Sequence, residues 1–282
     1  MQDTRIDKFV FRTKAQVDGP ETLADFFHRH TGLSKTRIKD AMAKGATWRT
    51  DSRGKRTRIR RATAKVQQND SIELYYDPEI LSIPPPHATL LYDVVHYSVW
   101  HKPAGLMTQG TNFGDHCSLL RQAEIDFHPK RKVFLVHRID RETEGVVLIA
   151  HTASAAKRLS LLFQERKITK IYRANVLGYL GEPGKTDRIL LPLDGKESIT
   201  DYQVTEYDAA ADTSTVEIYL KTGRKHQIRR HFAHICHPVM GDPVYGKGNK
   251  NNRGLQLKAV SLAFRCPFRQ ADQKFRLPDG YA

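Results

Sequence analysis

The chain has 282 residues, room for one large domain or two unequal ones with a sizeable core. Lysine and arginine number 46 against 31 aspartates and glutamates, a formal net charge of +15 with a sequence pI near 9.7. Such a surplus favours a polyanionic partner, nucleic acid before an anionic membrane surface. The longest apolar runs, such as Val146–Ala150, are far too short to span a bilayer, and Met1-Gln2-Asp3-Thr4-Arg5 lacks the apolar core of a signal peptide. Three cysteines, Cys117, Cys236 and Cys266, form neither a disulfide framework nor a CxxC pair, which points to a reducing compartment. The expectation is a cytoplasmic protein that binds nucleic acid and not membrane.

Taken from the N-terminus, residues 1–19 read as an extension. Leu23, Phe26 and Phe27 then have the spacing of a short amphipathic helix. Ser34 is placed to cap a second helix, with Ile38 and Met42 on one face and Gly45 as its stop. That helix carries Lys35, Arg37, Lys39 and Lys44, and a basic run follows that includes Arg49, Arg56, Arg58, Arg60 and Arg61. After an Asn69-Asp70 turn, Ser71–Tyr76 alternates as a strand. A solvated basic face with no special partner would account for this charge as well. Clustered cations contact phosphates without reading sequence, so binding through them weakens steeply with salt. Asp77-Pro78 through Pro84-Pro85-Pro86 reads as a linker, 77–89, ahead of a larger block of strands, helices and glycine turns, 90–282.

In the larger block, Tyr97–Lys102 reads as a strand ending in a Lys-Pro-x-Gly turn at Lys102-Pro103-Ala104-Gly105. The most informative stretch is His137-Arg138-Ile139-Asp140-Arg141-Glu142-Thr143-Glu144-Gly145 followed by the apolar run Val146–Ala150. It sets one carboxylate between two arginines just ahead of a strand that reads as fully buried. Carboxylates seldom lie so near a core without compensation, and a flanked one can stay ionised, as a nucleophile or base must. A structural salt bridge capping the strand accounts for the same residues. A helix over about 152–166 with Ala155, Leu159, Leu162 and Phe163 inward comes next, then an alternating strand at Lys170–Val176. Further on lie Gly223-Arg224-Lys225-His226-Gln227-Ile228-Arg229, the turn His237-Pro238 to Gly241-Asp242-Pro243-Val244-Tyr245-Gly246, a polar loop at Lys247–Arg253 placed near RNA, and a closing core strand at Ser261–Phe264. His226, His231, His234, Cys236 and His237 have no defensible zinc spacing, so no metal is expected.

Residues 20–76, through Leu33-Ser34-Lys35-Thr36-Arg37-Ile38-Lys39, Lys44-Gly45 and the turn before the last strand, resemble the small RNA-binding domain of a ribosomal protein, the S-four or alpha-L domain. From Tyr97 to Pro267, the aspartate loop, the Lys170-Ile171-Tyr172 strand, the Gly-Arg-x-His-Gln-Ile-Arg segment and the His-Pro turn, in that order, resemble the RNA pseudouridine synthases of the RluA type. The resemblance implies an α+β catalytic fold with a large mixed, mainly antiparallel sheet and a central basic cleft. It implies isomerisation of uridine in ribosomal or transfer RNA, with no metal or cofactor, by a chain adequate as a monomer. Asp140 takes the place of the catalytic carboxylate, Tyr172 that of a ring against the target base whose phenol assists at carbon 5, and Arg229 that of the guanidinium that holds the carboxylate ionised and aimed. Arg138 takes the place of a residue that fills the space left by a flipped base. Lys35, Arg37, Lys39, Arg56 and Arg58 are the further candidate RNA contacts. The chain departs from the family at Ile139, Glu144, Lys225 and Cys236, where Leu, Ser, Thr and Gly are usual. A non-catalytic RNA-binding or ribosome-assembly protein on the same fold is the alternative; the presence of Asp140 with both partners weighs against it.

Overall fold

The computed structural model describes residues 7–246, 249, 251, 253–278 and 280. Of the polar loop expected near RNA, Lys247, Gly248, Lys250 and Asn252 lie outside the described residues, as does the stretch 1–6. The chain divides into two compact units, one formed by residues through Pro85 with Gln109–Gln122, the other by Pro86–Thr108 with the chain from Ala123 on.

In the first unit, β1 (Phe9–Lys14) precedes α1 (Leu23–Thr31) and α2 (Lys35–Ala43), followed by β2 (Thr47–Thr50), β3 (Arg56–Arg58), β4 (Ser71–Tyr76) and the short α3 (Pro78–Ser82). The local signals act as written. The Thr22 and Ser34 side chains accept from the amides of Asp25 and Arg37 and start the two long helices. Gly45, at φ +81, turns the chain out of the second. Leu23, Phe26, Phe27, Ile38 and Met42 are buried with Ile72 and Leu74 of β4 in one core. The antiparallel sheet has the order β1-β4-β2-β3. Thus the stretch 1–19 contains a strand, and the stretch 77–89 a helix that Asp77 caps through the amides of Glu79 and Ile80. Phe9-Val10-Phe11 hides its period because Val10 is apolar yet faces outward, whereas Phe9 and Phe11 are partly buried on the core.

The second unit holds β5 (Thr89–Val94), β6 (Tyr97–Lys102), α4 (Leu119–Asp126), β7 (Phe134–Leu135), β8 (Glu144–Ala150), α5 (Ala153–Gln164), β9 (Thr169–Leu177), β10 (Thr186–Leu190), β11 (Ile199–Asp208), β12 (Thr213–Leu220), α6 (Gln227–His234), β13 (Leu257–Arg265) and β14 (Asp272–Arg276), with the first turn of α4 in the first unit. Ten strands form one sheet of order β10-β11-β12-β9-β13-β8-β6-β5, with β14 on β13 and β7 on β8. Its described pairs are antiparallel except β8 with β13, so the sheet is mixed and mainly antiparallel, as expected. One core gathers Val146, Leu148, Leu159 and Phe264, and another Val176, Val204, Val216 and Phe232. At the parallel pair, Gly145 (φ +135) lies so close to β13 that a Cβ there would sit 2.2 Å from the Ala259 carbonyl oxygen. That contact fixes where β8 begins, and hence where the Asp140 loop ends.

Candidate active site

Asp140 sits on a short loop whose backbone is held on both sides of it. The buried Thr108 hydroxyl donates to the Ile139 carbonyl at 2.8 Å and accepts from the Ile139 amide at 3.3 Å. On the other side, the Lys102 ammonium donates to the carbonyls of Arg141 (3.1 Å), Pro103 (3.0 Å) and Leu106 (2.6 Å), and the Gly105 amide donates to Arg141 at 2.8 Å. The Lys-Pro-x-Gly turn is therefore the floor of the aspartate loop. Lys102 is fully buried; burial pushes its amine down to about 7 against the pull of Glu142, Asp140 and Glu144. The Thr143 amide closes the loop on the Asp140 carbonyl at 3.2 Å.

Arg229 comes from the first turns of α6. Gln227 anchors that helix: its amide oxygen accepts from the Thr222 hydroxyl and the Arg224 amide, and its nitrogen donates to the Ile199 carbonyl and the Thr200 hydroxyl. With both ends of the amide satisfied, the segment before the helix is pinned to β11. Arg229 is 1% exposed, and its Nε and Nη2 donate to the two oxygens of Asp242 at 2.7 and 2.8 Å. Asp242 also accepts from the amides of Val244 and Tyr245, at 2.8 and 2.9 Å. Burial opposes both charges, but these hydrogen bonds outweigh it, holding the guanidinium above and the carboxyl below its ordinary range. The remaining Nη1 is buried without a hydrogen-bond partner and lies 3.7 Å from Asp140 Oδ2. His226 Nε2 stands 3.8 Å from the other oxygen, Oδ1.

Tyr172, on β9, lines the same cavity; burial and then the nearby Asp140 charge push its phenol up, so in the resting protein it is a ring surface with a protonated hydroxyl. The cavity measures about 740 Å3 and is walled by Arg138, Arg166, Lys170, Lys221, Arg224, Lys225 and Arg229, with Asp140 the one acidic residue among the described lining. Burial, with Arg166 nearby, draws the Lys170 amine down to about 8. His137, stacked on Phe163, accepts from the Leu148 amide, and burial pushes it down to about 3, which makes it a neutral wall.

Asp140, Tyr172, Arg229 and the exposed Arg138 thus meet at one cavity, although 89 positions separate Asp140 from Arg229 (229 − 140). The clustered histidines disperse: His231 bonds the Leu191 carbonyl, His237 the Leu177 carbonyl, and His226 the Tyr245 hydroxyl. Glu144 points to His101 at 3.0 Å, with Lys258 4.0 Å away, and lines no part of the cavity. Sequence reading missed Lys102 as a loop support, Thr108, Asp242 and Tyr245. Thr108 had no signal, whereas Lys102 stands in a Lys-Pro-x-Gly turn, and Asp242 and Tyr245 in the Gly-Asp-Pro-x-Tyr-Gly turn, which reads from sequence as a structural turn shaping the cleft.

In the first unit, Lys35, Arg37 and Lys39 are exposed along α2, Lys35 with its ammonium on Asp25 at 2.7 Å. Arg56 and Arg58 differ from them. Their guanidiniums lie over the Trp48 ring, 4.1 and 4.2 Å from its centre; Arg56 bonds Glu73, Tyr75 and Asn112, and Arg58 bonds the Gly45 and Thr111 carbonyls. Arg58 and Arg60 both pair with Asp115, which brings Gln109–Gln122 into this unit. Cations so engaged are structural in the free protein.

A family model described as RNA pseudouridylate synthase matches residues 96–234. The chain is 33% identical over 174 residues to tRNA pseudouridine synthase C of Haemophilus ducreyi, covering 54% of this chain and 72% of that one. It is 35% identical over 201 residues to ribosomal large subunit pseudouridine synthase D of Shigella flexneri, covering 66% of this chain and 59% of that one. The solved structure of human RNA pseudouridylate synthase domain containing 1 shares the fold, with a TM-score of 0.58 and 24% identity over 71% of this chain and 88% of that one.

Proposed function

The chain belongs to the RNA pseudouridylate synthase family, and on that premise we propose that it isomerises uridines of ribosomal or transfer RNA, with Asp140, Tyr172 and Arg229 as its catalytic residues. The glycosidic bond at uracil N1 breaks, the base turns, and C1′ of the ribose is joined to C5, which then loses its proton while N1 gains one. Nothing is oxidised, and no outside group enters. The reaction needs an ionised carboxylate at the sugar or base, and covalent attack and removal of a sugar proton use the same one. What supports Asp140 is its position as the one carboxylate among the described residues of a cationic cavity, 3.7 Å from a guanidinium held in place by Asp242. Arg229 steers that carboxylate, and the Tyr172 ring receives the uracil face.

Extruding a stacked uridine costs a few kcal/mol, and Arg138, exposed at the cavity wall, offsets part of this by entering the vacated stack. The first unit supplies affinity through Lys35, Arg37 and Lys39 in the manner of an alpha-L domain. The proposal also takes the protein to be cytoplasmic and to act as a single chain, because one chain supplies every side chain of the site. Among the described residues no helix is long and apolar enough to cross a membrane.

Tritium release from RNA labelled at uridine C5 tests the proposal. Release by the intact protein, and none by Asp140→Ala with RNA binding retained, supports it; equal release by both refutes the assignment. Mapping pseudouridines in cells with and without the gene then identifies the target position.

A further inference from the structure

His226 and Tyr245 lie outside the catalytic set, yet their geometry is directed at it. His226 is a non-glycine residue in the left-handed region, φ 52 and ψ 29, at the start of α6. Such a backbone is strained for a residue with a side chain, and strain of this kind persists where surrounding structure demands it. Capping is not the reason, since the side chain makes no cap hydrogen bond. The conformation instead aims the imidazole between two groups: Nδ1 is 3.1 Å from the Tyr245 hydroxyl, and Nε2 is 3.8 Å from Asp140 Oδ1. Tyr245 reaches the other side of the site as well, with the Arg229 guanidinium 5.2 Å above its ring.

We infer that Tyr245 and His226 are positioning residues that orient Asp140, Tyr245 fixing the tautomer of His226 so that its Nε2–H faces Oδ1 while Arg229 faces Oδ2. The inference rests on the reading of Asp140 as the catalytic carboxylate. A bare Nε2 lone pair facing a carboxylate oxygen would be repelled, so the proton belongs on Nε2. Nδ1 is then bare and accepts the Tyr245 O–H. The imidazole is neutral: burial lowers it, Arg229 and Lys225 lower it further, and Asp140 and Asp242 oppose them. Separations of 3.8 and 3.7 Å on the two oxygens are each just beyond hydrogen-bond length. The carboxylate is thus flanked without being locked, and a small closure around the nucleotide completes both bonds, as catalytic hydrogen bonds commonly do.

The test uses the full chain, C5-tritiated RNA in single turnover, and Tyr245→Phe, His226→Gln, His226→Leu and Asp140→Ala variants. Loss of the Tyr245 hydroxyl removes a bond that favours neutral imidazole, so His226 protonates at higher pH and closes an ion pair on Asp140. Tyr245→Phe is expected to slow turnover about 10-fold near neutrality and to move the acid limb of the rate profile up by roughly one pH unit. His226→Gln, whose amide N–H takes the place of Nε2–H, should stay within about 10-fold of the intact protein and lose that limb, whereas His226→Leu falls about 100-fold. RNA affinity and melting temperature should be unchanged in all of them. Intact rates in Tyr245→Phe and His226→Leu, or a uniform fall with an unmoved pH profile, overturn the inference provided Asp140→Ala is inactive. An active Asp140→Ala variant refutes the parent assignment instead.

Discussion

Replacing Asp242 by alanine strips Arg229 of its two charge-assisted hydrogen bonds and the amides of Val244 and Tyr245 of their acceptor. Breaking a buried ion pair from one side typically costs about 3–5 kcal/mol, because the surviving charge stays buried. Here Asp140 at 3.7 Å and the Tyr245 ring at 5.2 Å still face the guanidinium, so the expected cost is toward the lower limit, about 3 kcal/mol. The variant is also expected to lose turnover at temperatures well below its unfolding transition, since the two-point grip that fixes the direction of Arg229 toward Asp140 is gone. An Arg229→Met/Asp242→Leu double variant removes both charges and should regain much of the stability but none of the activity. The carboxyl of Asp242 is held below its ordinary range, so its contribution is full above the unfolded value near 3.9 and fades as pH falls through the folded one. The difference between intact and Asp242→Ala protein should therefore shrink below about pH 4. Urea unfolding and single-turnover tritium release measure the two effects. A stability loss within about 0.5 kcal/mol would refute the claim that Asp242 carries Arg229.

Three further outcomes follow from the same contacts. Gly145→Ala drives a Cβ to 2.2 Å from the Ala259 carbonyl at φ +135, so it should cost more than about 2 kcal/mol and cut activity by displacing the aspartate loop, read by melting and turnover. Lys102 has its folded amine near 7 against an ordinary value near 10.4, so the folded state binds fewer protons between these limits and its stability relative to Lys102→Met should rise with pH across that window in urea titrations. Changing Lys35, Arg37 and Lys39 together to alanine should weaken RNA binding for all sequences and flatten its salt dependence by about 2–3 in logarithmic slope, whereas Arg58→Ala should chiefly lower the melting temperature.

The parts of this molecule that announce themselves are local. Ser34 caps α2 as its position suggests, the helix expected over about 152–166 is α5 with Thr152 as its cap, and Val146–Ala150 is a buried strand because nothing in it tolerates water. The meeting of Asp140, Tyr172 and Arg229 was legible only through the ordered resemblance, since residues on a loop, β9 and α6 share no local period. The supports were not legible. Lys102 can be buried because three carbonyls converge on its amine, and that convergence belongs to the folded turn. Asp242 earns its role from a helix 13 residues away in sequence (242 − 229). Arg56 and Arg58 looked like solvent-facing phosphate contacts because charge density does not reveal which guanidiniums will fold over Trp48. Likewise Gln109–Gln122 comes after β6 without a break in composition, and what ties it to the first unit are contacts of the folded chain, such as Asp115 and Asn112 bonded to Arg60 and Arg56 and the Thr111 carbonyl bonded to Arg58.

The central claim is that one carboxylate, aimed by a fixed guanidinium, remakes the nucleoside bond. Single-turnover formation of pseudouridine by Asp140→Asn, beside RNA affinity in the same preparation, tests it most directly. The amide keeps the size and polarity of the side chain and removes only its charge. Unchanged affinity with turnover reduced to background is the predicted result; product formed at the rate of the intact protein would contradict the account.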